Sequence, residues 1–469
     1  MRLSWVFFIC LAVIPDGCGL RTYWKLPPID AGGSVAGGAN DGGGASDGGT
    51  YDADASIVVA PATLLMGLVE SSNPAVVTHE GGNATAVWST TTGVDGVSQW
   101  MSQRDAMTGQ WVPPTRVPFG FDAGSLKFSL GGDRYGNALI ANAGPVTVDG
   151  GRRVRSVVYL ADGGYFGQFS DPFVESTSDD VRVSVDSSGF AALVYASGSW
   201  LFLQYGAIDD FSASPSTGFE LAQVIYAFDV AVNSSKEIFY VTQSSDNTVR
   251  GALYVDGGFN VRVLDNVVDS GAPEVRIAVG ENQSSPVAVW RSQKPGESGK
   301  YVRASTWVPG QGFDFNTAQL FYVPPTDTLT DIRVAQSNAG NTLVVWMHNF
   351  GDGRTQLWGN FLPTSASWVG AIPFTANVAG VRQPAIVAAT TPNGPSRTFW
   401  VAWTQFISTK DVVFLTRVFN GTPAVPLQVN DGGGTASSPA LAALPDGGCV
   451  VVWIQEVAGY NSVFATTAY

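Results

Sequence analysis

Gly340-Asn-Thr-Leu-Val-Val-Trp346 decides the fold, because relatives of this stretch return along the whole chain. Asn83-Ala-Thr-Ala-Val-Trp88, Ser285-Pro-Val-Ala-Val-Trp290 and Gly448-Cys-Val-Val-Val-Trp453 are the clearest copies. Arg397-Thr-Phe-Trp-Val-Ala-Trp403 is slightly longer, and Gly189-Phe-Ala-Ala-Leu-Val-Tyr195 ends on Tyr. Gly136-Asn-Ala-Leu-Ile-Ala-Asn142 and Lys236-Glu-Ile-Phe-Tyr-Val241 are degenerate copies. The final residues fall at 88, 142, 195, 241, 290, 346, 403 and 453, so the spacings are 54, 53, 46, 49, 56, 57 and 50. A period near fifty built on short β-branched runs predicts a β-propeller. Eight four-stranded antiparallel blades are expected, or seven if the weak copy at 236–241 merges with a neighbour.

Each repeat divides into strands. The first precedes the Trp run, as in Pro74-Ala-Val-Val, Val181-Arg-Val-Ser-Val, Val275-Arg-Ile-Ala-Val, Ile332-Arg-Val-Ala, Pro384-Ala-Ile-Val and Pro439-Ala-Leu-Ala. The Trp run is the second, and its continuous apolar character suits a strand covered on both faces. The third is more polar, as in Val97-Ser-Gln-Trp-Met-Ser-Gln103. A Gly turn and an aromatic residue announce the fourth: Trp111, Tyr165, Phe219, Phe259 and Phe313, with Trp368 lacking the Gly. Asp162-Gly-Gly and Asp256-Gly-Gly read as hairpin turns in which Gly supplies a positive φ. The last repeat lacks a fourth strand, and Ile57–Leu68 is an apolar run without a partner. The run is expected to supply that strand and close the ring.

This pattern resembles the sialidase-like (BNR) β-propellers over residues 57–469. In that family the turn before strand four carries Ser-x-Asp-x-Gly-x-Thr-Trp, of which Asp105-Ala-Met-Thr-Gly-Gln-Trp111 is an echo. The resemblance is architectural and transfers no activity by itself. Sialidases use an Arg triad with a Phe/Tyr-Arg-Ile-Pro motif, a Tyr nucleophile and a carboxylate pair; the Phe/Tyr-Arg-Ile-Pro motif is absent here.

Composition narrows the function. The chain has 469 residues, a formal net charge of −14 and 14% charged residues, which argues against a general nucleic-acid binder. Two His, His79 and His348, lie far apart, so neither a zinc site nor a His-based triad is predicted, and no P-loop or dinucleotide fingerprint is present. No cofactor is expected.

At the N-terminus, Met1-Arg2, the apolar run Trp5–Ile14 and Pro15-Asp-Gly-Cys18 resemble a bacterial lipoprotein signal, which implies lipidation of Cys18. The alternative is ordinary signal cleavage and secretion. Residues 19–56 are expected to be a flexible tether, since nine Gly fall within residues 31–50. Cys449, opening an apolar strand, is expected to be a buried inert thiol. The implied location is the cell envelope, with a lipid anchor in the outer membrane.

One constellation stands out as a candidate site. Arg182, Arg276 and Arg333 occupy the same position of three first strands, each two residues after Asp180, Glu274 or Asp331; Lys127 is a further member of the pattern. Two readings stand: salt bridges that fix blade packing, or a basic cluster that binds a carboxylated or sulfated ligand. His348, Gln405 and Gln455, each two residues past the final residue of its Trp-ending run (Trp346, Trp403 and Trp453), fall toward the same face. The expected role is non-catalytic binding of a protein or glycan by a monomer. The alternatives are a glycosidase or lyase working at the propeller's mouth, and a structural envelope component.

Overall fold

The computed structural model describes residues 57–469, apart from 68–69, 93–95, 120–127, 146–151, 171–179, 214–215, 222, 256–257, 267–272, 284, 294–295, 315–316, 365, 390–396 and 431–432. The residues expected to form the signal and the tether, with Cys18, and also Lys127 and Asp256-Gly257, lie outside the described residues. The strands form eight antiparallel sheets, each following chain order except for the strand that closes the last. The blades, numbered along the chain, have first strands Glu70–Thr78, Phe128–Gly132, Val181–Val185, Ile225–Val232, Val275–Ala278, Thr328–Gln336, Arg382–Ala388 and Ala436–Ala443. The weak copy at 236–241 is the second strand of blade 4, Ile238–Ser244, so the ring has eight blades.

Blade 8 takes its fourth strand from the beginning of the described chain. Thr63–Met66 pairs with Tyr460–Ala468, with Thr63 opposite Ala465 and Leu64 opposite Phe464. Val58 and Tyr469 also exchange backbone hydrogen bonds of 3.2 and 3.0 Å. Without this strand, Tyr460–Ala468 would present an open row of N–H and C=O groups.

The Trp positions show why the second strands are apolar throughout. Trp88, Trp290, Trp346, Trp403 and Trp453 are fully buried, and the clusters holding them join neighbouring blades. Trp346 of blade 6 packs with Val287, Val289 and Val302 of blade 5. Trp88 of blade 1 packs with Val450 and Val452 of blade 8. At these five junctions the indole contributes a large apolar area that neither blade could bury alone. Cys449 is buried in the same way, and burial pushes its thiol well above the usual range.

The fourth strands depart from expectation around Trp111 and Trp368, and Phe219 lies near the end of Ser216–Glu220 rather than at its start. Trp111 makes only an isolated bridge to Arg104, and the strand itself is Thr115–Arg116. Trp368 opens no strand; the outer edge of blade 6 is split into Ile372–Pro373 and Val378–Ala379. An aromatic residue here fills the space between blades, and that demand is met whether or not the backbone around it pairs.

Candidate functional site

First strands are sheet edges, so their inner N–H groups need partners from elsewhere. Side-chain oxygens of the preceding blade supply them. Ser129 Oγ accepts from Val183 N at 2.9 Å, Ser184 Oγ from Val232 N at 3.1 Å, and Asp229 Oδ2 from Ile277 N at 3.0 Å. Glu274 Oε1 accepts from Ile332 N at 2.9 Å, and Gln383 Oε1 from Ser438 N at 2.9 Å. The same strands line a central channel. Val76, Ile386 and Leu441 border cavities toward both of its ends, of about 540 and 430 Å³.

The larger cavity is the mouth at the beginnings of the first strands. Arg276 and Arg333 line it together with Asp229 and Asp331. Arg182 adjoins it through Asp229, 3.7 Å away. Each guanidinium donates Nη1 to the carbonyl of the residue before it: Arg182 to Val181 at 3.1 Å, Arg276 to Val275 at 2.7 Å and Arg333 to Ile332 at 2.9 Å. The acidic partners follow the sequence pattern, with Asp180, Glu274 and Asp331 at 3.7, 3.5 and 3.6 Å from Arg182, Arg276 and Arg333. Arg333 also reaches Glu274 of the preceding blade at 3.3 Å. Interblade ion pairing and a place in the mouth lining, set apart in the sequence reading, thus meet in Arg333, while Arg276 lines the mouth and pairs within its own blade.

Geometry leaves the guanidinium groups with capacity to spare. A short charge-assisted hydrogen bond spans about 2.7–2.9 Å, and every ion pair above is longer. The three Arg side chains keep 27%, 22% and 32% of their surface open. Burial, followed by the charge of Arg276, pulls Arg333 below the usual guanidinium range, and Arg182 adds to the effect. Burial likewise raises the Glu274 carboxyl, against the opposing pull of Arg276 and Arg333.

The other half of the mouth is of different character. Asn73-Pro74-Ala75, Gln383-Pro384-Ala385 and Ser438-Pro439-Ala440 line it from blades 1, 7 and 8, which are consecutive around the closed ring. Asn73, Asp331, Gln383 and Ser438 have φ of 49, 54, 54 and 53°, each at an irregularity in the first-strand pairing. Left-handed backbone at non-Gly residues costs roughly 1–2 kcal/mol each, and here it gathers on one rim. The segregation was present in the sequence as Pro-Ala against Val-Arg and Ile-Arg, but only ring closure makes blade 1 adjoin blade 8.

His348, Gln405 and Gln455 are not among the residues lining this cavity. His348 pairs in register with Leu329, and Gln455 with Ala436, two positions before the lining residues Asp331 and Ser438. Both Gln side chains accept a hydrogen bond from the Trp that ends their own run: Trp403 Nε1 to Gln405 Oε1 at 3.3 Å, and Trp453 Nε1 to Gln455 Oε1 at 3.1 Å. A Gln two residues after a Trp lies on the same side of the strand and can satisfy its indole, a signal the sequence offered. His348 Nε2 lies 2.7 Å from Asp327 Oδ2, and its ring lies against Phe350, tilted by 31° with centroids 3.9 Å apart. His79 is buried, and burial lowers its pKa. Its Nδ1–H donates to Asp133 O at 2.7 Å, so Nε2 accepts from the Thr85 hydroxyl at 2.9 Å. Among the described residues, no three His, Cys, Asp or Glu gather to hold a metal ion.

No protein-family model matches the sequence, and no curated protein matches it either. Solved structures do match in fold. The Dos1 propeller aligns at 11% identity over 88% of this chain and 95% of its own, with a TM-score of 0.50. The polysaccharide lyase Uly1 aligns at 8% identity over 84% and 89%, with a TM-score of 0.46. The intramolecular trans-sialidase from Ruminococcus gnavus aligns at 9% identity over 85% and 94%, with a TM-score of 0.37. The likeness is one of fold.

Proposed function

We propose that this propeller is a binding protein whose mouth holds an anionic ligand, without catalysis, between the Arg half and the Pro half of the rim. The observation that carries this reading is that Arg276 and Arg333 line the mouth cavity while their carboxylate partners stand at 3.3–3.6 Å. A ligand carboxylate or sulfate can take shorter, better directed hydrogen bonds from the same groups. The Pro74, Pro384 and Pro439 rings offer an apolar surface opposite. An acidic glycan or an acidic peptide segment combines those two characters.

The carboxylates also support a second reading, as a glycosidase or lyase, since burial raises Glu274 and a raised carboxyl can serve as a general acid. Against it, Glu274 Oε1 is occupied by Ile332 N, and Asp229 Oδ2 by Ile277 N. Both carboxylates therefore hold blades together. The test is a glycan array probed with the full chain. The proposal expects signal on carboxylated or sulfated glycans and none of their cleavage; retention of neutral glycans alone would reject an anion site.

We further propose that the propeller works in the bacterial envelope, anchored through lipidated Cys18. Incorporation of labelled fatty acid by the parent chain and its loss in Cys18→Ala is the expected result. No incorporation in a host with intact lipoprotein processing would reject the anchor.

A further inference from the structure

On the opposite face, where first strands turn into second strands, a groove of about 770 Å³ opens between blades 5 and 6. Ser285, Thr306 and Gln319 line it from blade 5, and Ser367 and Trp368 from blade 6. No Lys or Arg is among its lining residues; Asp314 is the charged group there. The volume is that of a small-molecule site, for which 300–1,000 Å³ is typical.

The framework of the groove is fixed by its own hydrogen bonds. Gln336 Nε2 donates to Ser285 O at 3.1 Å and to Thr342 Oγ1 at 3.0 Å, while its Oε1 accepts from Gly280 N at 2.7 Å. Gln283 Nε2 donates to Asn338 O at 2.8 Å. The loop carrying Trp368 is held by Val369 N to Phe361 O at 2.9 Å and Gly370 N to Asn360 Oδ1 at 3.1 Å. Trp368 is half-buried, packed against the core shared by blades 5 and 6.

The lining groups differ from that framework. Ser285 Oγ, Thr306 Oγ1, the Gln319 amide, Ser367 Oγ and Trp368 Nε1 have no hydrogen-bond partner among the described residues. A rigid groove that combines an incompletely buried indole with uncommitted hydroxyl and amide groups suits a ligand with apolar C–H faces and neutral hydroxyls. We infer that this groove binds a neutral oligosaccharide, with a sugar ring against Trp368 and its hydroxyls on Ser285, Thr306, Gln319 and Ser367. The site is separate from the Arg mouth and stands without it.

The test titrates the full chain with short linear neutral oligosaccharides of glucose, mannose and galactose, followed by saturation-transfer NMR and calorimetry. At least one series is expected to bind in about the millimolar range or tighter. Trp368→Ala should weaken it by about tenfold or more through loss of the stacking surface. The double variant Gln319→Ala/Ser367→Ala, which leaves the indole and its packing intact, should weaken it by about threefold to tenfold, and Arg276→Ala should not change it. No binding by any series, or binding insensitive to both groove variants, overturns the inference. Binding lost in Arg276→Ala instead would move the neutral sugar to the mouth and equally overturn it.

Discussion

Leu64 and Leu65 are neighbours in the closing strand, and they give a controlled test of how the ring is shut. Leu65 is 7% exposed and packs with Trp88, Val452 and Val463; Leu64 is 51% exposed. Leu65→Ala removes buried methyl groups from the junction of blades 8 and 1, at a cost of about 2–4 kcal/mol. Leu64→Ala removes surface already in water and should cost under about 0.5 kcal/mol. For a domain of roughly 400 residues the unfolding entropy is near 0.8 kcal/mol/K, so the midpoint should fall by about 3–5 °C for Leu65→Ala and under about 1 °C for Leu64→Ala. Scanning calorimetry of the two variants beside the parent decides the matter. Equal effects, or a larger one at Leu64, would refute a closing strand in this register.

Three further outcomes follow from the structure. Hydrogen bonding to Arg250 lowers the Asp246 pKa to about 2. The unfolded carboxyl titrates higher, so this stability is present above about pH 4 and lost as pH falls toward 2; after solvent screening it is about 1 kcal/mol, and Asp246→Asn should flatten that part of the pH–stability curve. Gln455→Leu takes the acceptor from the buried Trp453 indole, so it should cost about 1–3 kcal/mol in urea unfolding. Gln405→Leu, at a more open position, should cost less by the same measurement.

The fold was legible because a propeller repeats its demands. Each junction needs an apolar second strand and a large ring, so Trp88, Trp290, Trp346, Trp403 and Trp453 announce themselves at one spacing. The closing strand was legible as a deficit at one end and an unpartnered run at the other. The site was less so. Arg182, Arg276 and Arg333 could be seen to share a position, yet the cross-blade pairing of Arg182 with Asp229 and of Arg333 with Glu274 depends on how neighbouring blades pack. The roles of Gln405 and Gln455 turn on a local relation two residues long, the satisfaction of a neighbouring indole, rather than on convergence around the ring. Trp368 was visible as a repeat position, but it opens no strand, and the split of the outer edge into Ile372–Pro373 and Val378–Ala379 is not encoded in the repeat pattern.

The anion site at the mouth is tested most directly by calorimetric titration of an acidic glycan selected on the array, against the parent chain and Arg276→Ala. Hydrogen bonds to a charged group are worth about 1.5–3 kcal/mol, so Arg276→Ala should weaken binding by roughly tenfold to a hundredfold. Its partially exposed ion pair with Glu274 contributes little, so the thermal midpoint should move by no more than about 2 °C. Unchanged affinity together with a fall in midpoint beyond about 5 °C would contradict the account and assign Arg276 to blade packing alone.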